Sequence, residues 1–164
     1  MVPVTVIRRA RVDDLPVLQE IRQAAFAPVF ASFRTMLGDA LYEMVQAPED
    51  AAQSELLASL LAPESSWEVH AAEVAGAVVG FVAFQMNQGT RVGEIGLNAV
   101  HPNHAGQGVG TAMYAFALSR MKEAGMRAAT VATGADASHA PARRAYQKAG
   151  FAAQIPSVWM CRRL

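Results

Sequence analysis

Three glycines at alternate positions stand directly before a long apolar run, in the stretch HPNHAGQGVGTAMYAFALSRM at residues 101–121. Gly106, Gly108 and Gly110 let the backbone approach a ligand closely, and the N-terminus of a following helix presents unpaired N–H groups with partial positive charge. The pattern therefore predicts an anion site, with phosphate as the natural ligand. A tight strand-to-helix turn that binds nothing is the alternative for this loop alone.

Two familiar phosphate-binding loops do not fit this spacing. A dinucleotide fingerprint that starts at Gly106 needs a small residue where Thr111 stands, and one that starts at Gly108 meets Met113. A P-loop needs a lysine after its last glycine, where Thr111 or Ala112 stands. If the loop binds phosphate, it therefore does so as another class of phosphate site.

A second group of residues shares one face of a helix predicted over residues 138–149. His139, Ala142 and Tyr146 follow i, i+3, i+7 spacing, and the small Ala142 leaves room beside the aromatic ring. Such a face can line a narrow channel. Tyr146 has either a chemical role in that channel or the role of a core aromatic with a satisfied hydroxyl.

Length and composition predict a single domain over residues 1–164. The chain has 52% hydrophobic and 17% charged residues, which is enough for one buried core, and it is too short for two ordinary domains. The longest nearly uncharged run in the predicted core, residues 74–86, is shorter than the roughly 20 residues of a membrane-spanning helix. The single Cys161 excludes an internal disulfide and a cysteine-only metal site. We therefore expect a cytoplasmic protein with no metal and no membrane partner.

Charge is distributed unevenly although the net charge is zero. Residues 28–66 contain six acidic side chains against one basic, and residues 101–164 contain eight basic against two acidic. The C-terminal part therefore suits an anionic ligand and the N-terminal part a cationic one, unless these charges only solvate helix faces. A nucleic-acid partner is not expected, because the basic residues are few and are not interleaved with aromatics.

Apolar periodicity and turn signals predict a mixed sheet flanked by helices. An Ala-Gly turn joins two β-rich runs into an antiparallel hairpin, and a helical crossover follows the glycine loop. On the strand before that loop, Ile95, Leu97 and Ala99 alternate on one face, so Glu94 and Asn98 are expected to share the other. The predicted strands cover residues 4–9, 67–73, 77–86, 92–100, 128–133 and 158–162. The predicted helices cover residues 13–26, 35–46, 51–61, 111–123 and 138–149.

Both groups of residues resemble motifs of a known family. The run V-x-P-x-x-x-G-x-G-x-G, from Val100 to Gly110, resembles the acetyl-coenzyme A pyrophosphate loop of the GNAT N-acetyltransferases. Downstream, SHAPARRAYQKAGF at residues 138–151 resembles the family's N-x-x-A-x-x-x-Y-x-x-x-G-F element, with His139 where Asn is frequent. The resemblance extends over nearly the whole chain and implies an α+β fold. In that fold a central mixed, mostly antiparallel twisted sheet of about six to seven strands is flanked by helices on both faces.

The resemblance implies acetyl-coenzyme A as the acyl donor, bound mainly by backbone N–H groups of the loop. Ala105 departs from the family, which usually has Arg or Gln there, so one side-chain contact is lost while the backbone donors remain. The residues implied in coenzyme binding are Ala99, Val100, Ala105, Gly106, Gln107, Gly108, Val109, Gly110, Thr111, His139, Ala142 and Tyr146.

The implied activity is acetyl transfer to a primary amine by direct attack in a ternary complex. A backbone N–H near Val100 then stabilises the oxyanion, and Tyr146 acts as general acid toward the departing thiolate. Glu94 is either the general base or a solvated edge carboxylate. A catalytically weak acyl-coenzyme A sensor and an acyltransferase with a longer acyl group are the alternatives. The edge of the last predicted strand, with Trp159, allows a homodimer.

Overall fold

Five strands and five α-helices follow one another along residues 4–164, the part of the chain that the computed structural model describes. The strands are β1 (Thr5–Arg9), β2 (Glu68–Val74), β3 (Ala77–Asn87), β4 (Val92–Val100) and β5 (Ala128–Val131). The helices are α1 (Leu15–Leu37), α2 (Asp39–Val45), α3 (Ala47–Leu60), α4 (Val109–Glu123) and α5 (Ala140–Lys148). None of the helices within residues 4–164 has the length and apolar character needed to cross a membrane.

The strands form one sheet in the order β1-β2-β3-β4-β5. The first three pairs are antiparallel and the last, β4 with β5, is parallel, because α4 returns the chain to the same end of the sheet. Ala75 and Gly76 both have positive φ, as a two-residue hairpin turn between β2 and β3 requires. The predicted mixed, mostly antiparallel sheet is confirmed.

The sheet has fewer strands than the six to seven predicted among residues 4–164, because residues 158–162 form no strand. A strand needs a neighbour that completes its hydrogen bonds, and no backbone hydrogen bond joins residues 152–164 to the sheet. The apolar side chains of this segment are also exposed: Ile155 is 96%, Val158 83% and Met160 85% exposed. The prediction of a strand at residues 158–162 is therefore wrong.

The first helix is longer than its predicted range of residues 13–26. It continues through Pro28 to Leu37, and the chain breaks at Gly38, where φ is 74° and ψ 155°. Residues other than glycine rarely adopt that conformation, so Gly38 separates α1 from α2. The predicted second helix, residues 35–46, consequently begins too early.

Helices cover both faces of the sheet, as predicted. On one face, α4 and α5 pack against a core that includes Val82, Phe84 and Ile95. On the other face, α1 and α3 pack against a core that includes Phe81, Ala83 and Ala99. The two faces are called the α4 face and the α1 face below.

A β-bulge in β4 changes which face its residues occupy. Val82 lies opposite Asn98, but Phe84 lies opposite Ile95, so β4 contains one extra residue between these two pairs. Ile95 consequently packs on the α4 face and Ala99 on the α1 face. The prediction that Ile95, Leu97 and Ala99 share one face is therefore wrong, because a single inserted residue reverses the alternation.

Candidate active site

The glycine loop enters α4 with free backbone donors. Gly106 and Gly108 have φ of 74° and 84°, in the left-handed region, and Gly108 is the N-cap of α4. Of the backbone N–H groups in the segment 106–112, only that of Ala112 is hydrogen-bonded within the described residues. It donates to the Gly108 carbonyl at 3.0 Å. The N–H groups of residues 106–111 are therefore available to a ligand at a helix N-terminus, an arrangement that binds phosphate.

Open space surrounds this loop. A Cβ atom on Gly106 or Gly108 would meet nothing within 4 Å, so backbone conformation rather than packing requires glycine there. The Gln107 side chain donates to the Asn103 carbonyl at 3.2 Å, whereas Val109 is 1% exposed and holds α4 on the core. The remaining predicted coenzyme residues of this stretch, Ala105, Gly110 and Thr111, lie at or near the surface.

β4 has an unpaired edge next to the loop. It pairs with β5 over four residues, up to Ile95 and Val131, and then continues to Val100 without that partner. The His101 N–H donates to a β3 carbonyl at 2.8 Å, so alternation along the strand turns the Val100 N–H toward the unpaired edge. A gap between β4 and β5 over residues 96–100 thus holds a free donor, as the oxyanion prediction requires.

Asn98 connects two tyrosines beside this gap. Its Nδ2 donates to the Tyr146 hydroxyl at 3.0 Å and to the Gly96 carbonyl at 2.9 Å, while its Oδ1 accepts from the Tyr114 hydroxyl at 2.8 Å. The two tyrosine rings lie 5.0 Å apart, centroid to centroid. Burial raises the pKa of Tyr114, so this hydroxyl stays protonated and donates. Because the Tyr146 hydroxyl oxygen accepts from Asn98, this contact leaves its O–H available as a donor.

Glu94 lies away from this network. Its carboxylate accepts from Gln85 at 2.9 Å, and it lines a separate surface cavity of about 450 Å³ with Ser66 and Thr130. Ile95 packs on the α4 face, so Glu94 points to the α1 face, opposite to Asn98. The expectation that Glu94 and Asn98 share a face is wrong, because the β4 bulge lies between them and places them on opposite faces. The structure does not bring Glu94 to Tyr146.

A polar cluster surrounds His139 at the start of α5. The His139 Nδ1 lies 2.5 Å from Asp136 Oδ1, and Asp136 Oδ2 accepts from the hydroxyl groups of Ser138 and, at 3.0 Å, of Ser32 on α1. Burial on its own would raise the pKa of Asp136, but the hydrogen bonds from Ser138, His139 and Ser32 lower it below its ordinary value. Asp136 is therefore an ionised partner for the imidazole.

His139 also reaches a cavity between α1 and α3. Its ring centroid is 5.9 Å from that of Phe33. The cavity, of about 370 Å³, is lined by Phe26, Val29, Phe30, Phe33, Gln46, Glu49, Asp50, Ala52, Gln53, Leu56 and His139. Aromatic walls with two carboxylates suit a cation attached to an apolar body.

The family model of the Acetyltransferase (GNAT) family matches residues 30–151. The chain belongs to this family. The match includes both motifs that the sequence analysis singled out, the glycine loop and residues 138–151. A comparison with curated protein sequences gives no match.

Solved GNAT structures share the fold. PaiA N-acetyltransferase from Thermoplasma acidophilum, in complex with coenzyme A, has a TM-score of 0.74 at 15% identity, over 94% of this chain and 93% of its own. A putative GNAT acetyltransferase from Desulfovibrio desulfuricans has a TM-score of 0.69 at 18% identity, over 93% of this chain and 87% of its own. A GNAT acetyltransferase from Brucella melitensis, in complex with acetyl-CoA, has a TM-score of 0.63 at 22% identity, over 92% of this chain and 84% of its own.

In this GNAT protein, the three residues predicted to share one face of α5 pack against two different parts of the structure. Ala142 and Tyr146 pack with the α4-face core, whereas the His139 ring lies against Phe33 of α1. The N-cap position of His139, at the junction of a 3-10 turn and α5, accounts for this separation. No group of three or more His, Cys, Asp or Glu side chains suited to a metal occurs within residues 4–164.

Sequence reasoning missed Tyr114, Asp136 and Ser32. Tyr114 looks like one more apolar position of α4, and only the fold brings its hydroxyl to Asn98. Ser32 and Asp136 are 104 positions apart, so no local pattern connects them. The i, i+3 spacing of Asp136 and His139 was a usable signal, because it places a carboxylate beside an imidazole within one turn.

Proposed function

We propose that this GNAT protein, as one domain over residues 1–164, transfers the acetyl group of acetyl-coenzyme A to a primary amine by direct attack in a ternary complex. The unpaired edge of β4 beside Tyr146 supports this function most directly. It offers backbone donors and acceptors to the extended arm of the coenzyme, next to the free N–H groups at residues 106–111 that suit its pyrophosphate.

Two steps of the transfer have a candidate group in this gap. The amine lone pair attacks the thioester carbonyl, and the Val100 N–H stabilises the negative charge that develops on the oxygen. When the C–S bond breaks, Tyr146 donates its proton to the thiolate. Direct attack needs no nucleophile from the protein, which leaves Cys161, on the tail outside the sheet, without a part in the chemistry.

A small-molecule amine is the proposed acceptor, rather than nucleic acid or a membrane. Glu49 and Asp50 line the cavity beside His139, and a cationic amine is attracted to such carboxylates. The cavity volume of about 370 Å³ suits a small molecule. A cytoplasmic location and a homodimer through the exposed tail around Trp159 stay predictions from the sequence.

Calorimetric titration with acetyl-coenzyme A, followed by free-thiol release with a panel of primary amines, tests this function. We expect coenzyme binding and amine-dependent thiol release, with an acetylated amine identified by mass spectrometry. Binding without release on any amine favours an acyl-coenzyme A sensor. Faster release from succinyl- or propionyl-coenzyme A favours an acyltransferase with a longer acyl group, and the absence of binding contradicts the assignment of the loop.

A further inference from the structure

His139 connects the two halves of the site. α1 and the segment 46–56 supply every other residue that lines the cavity of about 370 Å³, and the start of α5 contributes His139. The same helix carries Tyr146, seven residues later. An acceptor in the cavity therefore contacts the N-terminus of the helix that carries the proposed general acid.

The imidazole is held in one orientation. A carboxylate on Nδ1 fixes the tautomer in which Nδ1 carries the proton and Nε2 has the free lone pair. Ser32 ties Asp136 to α1, and Arg143 donates to the carbonyls of Gly134 and Asp136 at 2.6 Å and 2.7 Å. No group within residues 4–164 hydrogen-bonds to His139 Nε2, so this nitrogen is free to accept a proton from a ligand.

We propose that His139, oriented by Asp136, is the general base of the transfer and accepts at Nε2 the proton of an amine whose apolar body lies between Phe26, Phe30 and Phe33. The inference rests on the proposed acetyltransferase function. An amine enters as the ammonium ion, and His139 removes one proton. The nitrogen lone pair then forms the C–N bond, the C–S bond breaks with its electrons on sulfur, and the thiolate takes the Tyr146 proton. The second proton that the nitrogen loses restores the Tyr146 hydroxyl, so the net proton released is the one on His139.

The charges around the imidazole suit this role. Asp136 lies against Nδ1, and Glu49 and Asp50 face the same cavity from α3. Asp50 accepts hydrogen bonds from the Tyr42 hydroxyl at 2.6 Å and from the Gln46 side chain at 2.9 Å, and these bonds hold its carboxylate in place. Arg143, which follows His139 by four residues, is turned toward backbone carbonyls. These carboxylates attract the ammonium form and stabilise the imidazolium that its deprotonation creates.

Two acceptors that differ in charge test the base. 2-Phenylethylamine is an ammonium ion at neutral pH and needs deprotonation, whereas aniline is already neutral. His139→Asn should lower kcat/KM for 2-phenylethylamine by about 100-fold or more, the usual contribution of a general base, and should abolish the acidic limb of the pH profile. Transfer to aniline should fall much less. Asp136→Asn should act in the same direction, because it removes the charge that fixes the tautomer.

Separate readouts distinguish a role in coenzyme binding. If His139 only holds the coenzyme, His139→Ala weakens acetyl-coenzyme A binding in calorimetry and lowers both rates equally, whereas His139→Asn retains both, and this pair of results overturns the proposal. An unchanged pH profile overturns it as well. Arg144→Gln, on the exposed side of α5, is the matched control and should leave both rates and the profile unaltered. If the unaltered protein binds coenzyme yet acetylates neither amine nor any member of the panel, the proposed function fails and this inference with it.

Discussion

Asn98 and Tyr146 are joined by a hydrogen bond of 3.0 Å from the side-chain amide of Asn98 to the tyrosine hydroxyl, although 48 positions separate them in the chain. The β4 bulge makes this contact possible, because it turns Asn98 to the α4 face, where α5 packs. Asn98 donates to the hydroxyl oxygen, so the Tyr146 proton can point to a ligand beside the β4 edge. The bulge thus positions the group that we propose as the general acid.

Tyr146→Phe should lower turnover far more than it lowers coenzyme affinity. The substitution removes the proton donor for the thiolate but keeps the buried ring, which is 7% exposed. We expect kcat to fall by about 100-fold, within the usual range for a general acid, with a nearly unchanged dissociation constant for acetyl-coenzyme A. Steady-state kinetics and calorimetry measure the two quantities. Unchanged turnover would remove Tyr146 from the mechanism.

Tyr114→Phe is the companion substitution for Tyr146→Phe. It also removes one hydroxyl from the Asn98 network, but that hydroxyl donates to Asn98 and not to the gap. We expect mainly a loss of stability, of about 1–2 kcal/mol in urea unfolding, because the half-buried Asn98 Oδ1 loses its donor. A larger loss of kcat than in Tyr146→Phe would contradict the assignment of the two tyrosines.

Gly108→Val should prevent coenzyme binding. Gly108 has a φ of 84° at the N-cap of α4, and valine at that φ is strained, so the loop must change the direction of its N–H groups. Gly76→Val is the matched control: φ there is 82° and a Cβ meets nothing within 4 Å, but the residue lies in the β2–β3 turn. Both variants should lose stability, and only Gly108→Val should lose affinity for acetyl-coenzyme A in calorimetry. Equal affinities would show that the loop is not the binding site.

Local signals in the sequence were sufficient for most elements and for the loop. Gly106 and Gly108 were recognisable because positive φ at a helix start is a property of a few consecutive residues. The face assignments in β4 failed because the bulge depends on how β4 pairs with β3. Gly96 inside the strand was a usable signal, since a glycine there often marks a bulge. Residues 158–162 have the apolar character of a strand, yet none of the five strands within residues 4–164 pairs with them.

The His139 cluster shows the same limit on site prediction. The resemblance assigned His139 to coenzyme binding, because that position carries Asn in the family. Its contacts with Phe33 and, through Asp136, with Ser32 depend on the packing of α1 against the 3-10 turn at residues 137–139. Contacts between residues about a hundred positions apart leave no periodic pattern in a single sequence.

Gly134→Ala should reproduce the loss of the base without altering His139 itself. A Cβ on Gly134 would lie 2.4 Å from His139 Nδ1 and 2.7 Å from Asp136 Oδ1, so the alanine must separate the two side chains. We expect kcat/KM for 2-phenylethylamine to fall by about 10-fold or more, with a flattened acidic limb of the pH profile. Gly89→Ala is a control, since its Cβ would meet only the Asn87 side chain, at 3.3 Å. Identical pH profiles for wild type and Gly134→Ala would contradict the need for the contact.

His70 should make stability depend on pH in mildly acidic solution. Its ring lies 5.3 Å from that of Phe84 and 4.7 Å from that of Phe116, and its buried Nδ1 has no hydrogen-bond partner within the described chain. Burial, reinforced by the charges of Arg9 and Arg120, lowers the pKa of His70 from 6.5 to about 4.

His70→Leu should therefore flatten the dependence of unfolding free energy on pH. Below pH 6.5 the unfolded chain binds a proton at His70 that the folded chain does not bind until about pH 4. The stability from this residue is thus complete above pH 6.5 and is lost as the pH falls toward 4, by about 3 kcal/mol. Urea unfolding at pH 7.5 isolates the packing effect of the substitution, and the change from pH 7.5 to 4.5 isolates the titration. We expect a smaller change for His70→Leu than for wild type, and parallel curves would show that His70 titrates alike in both states.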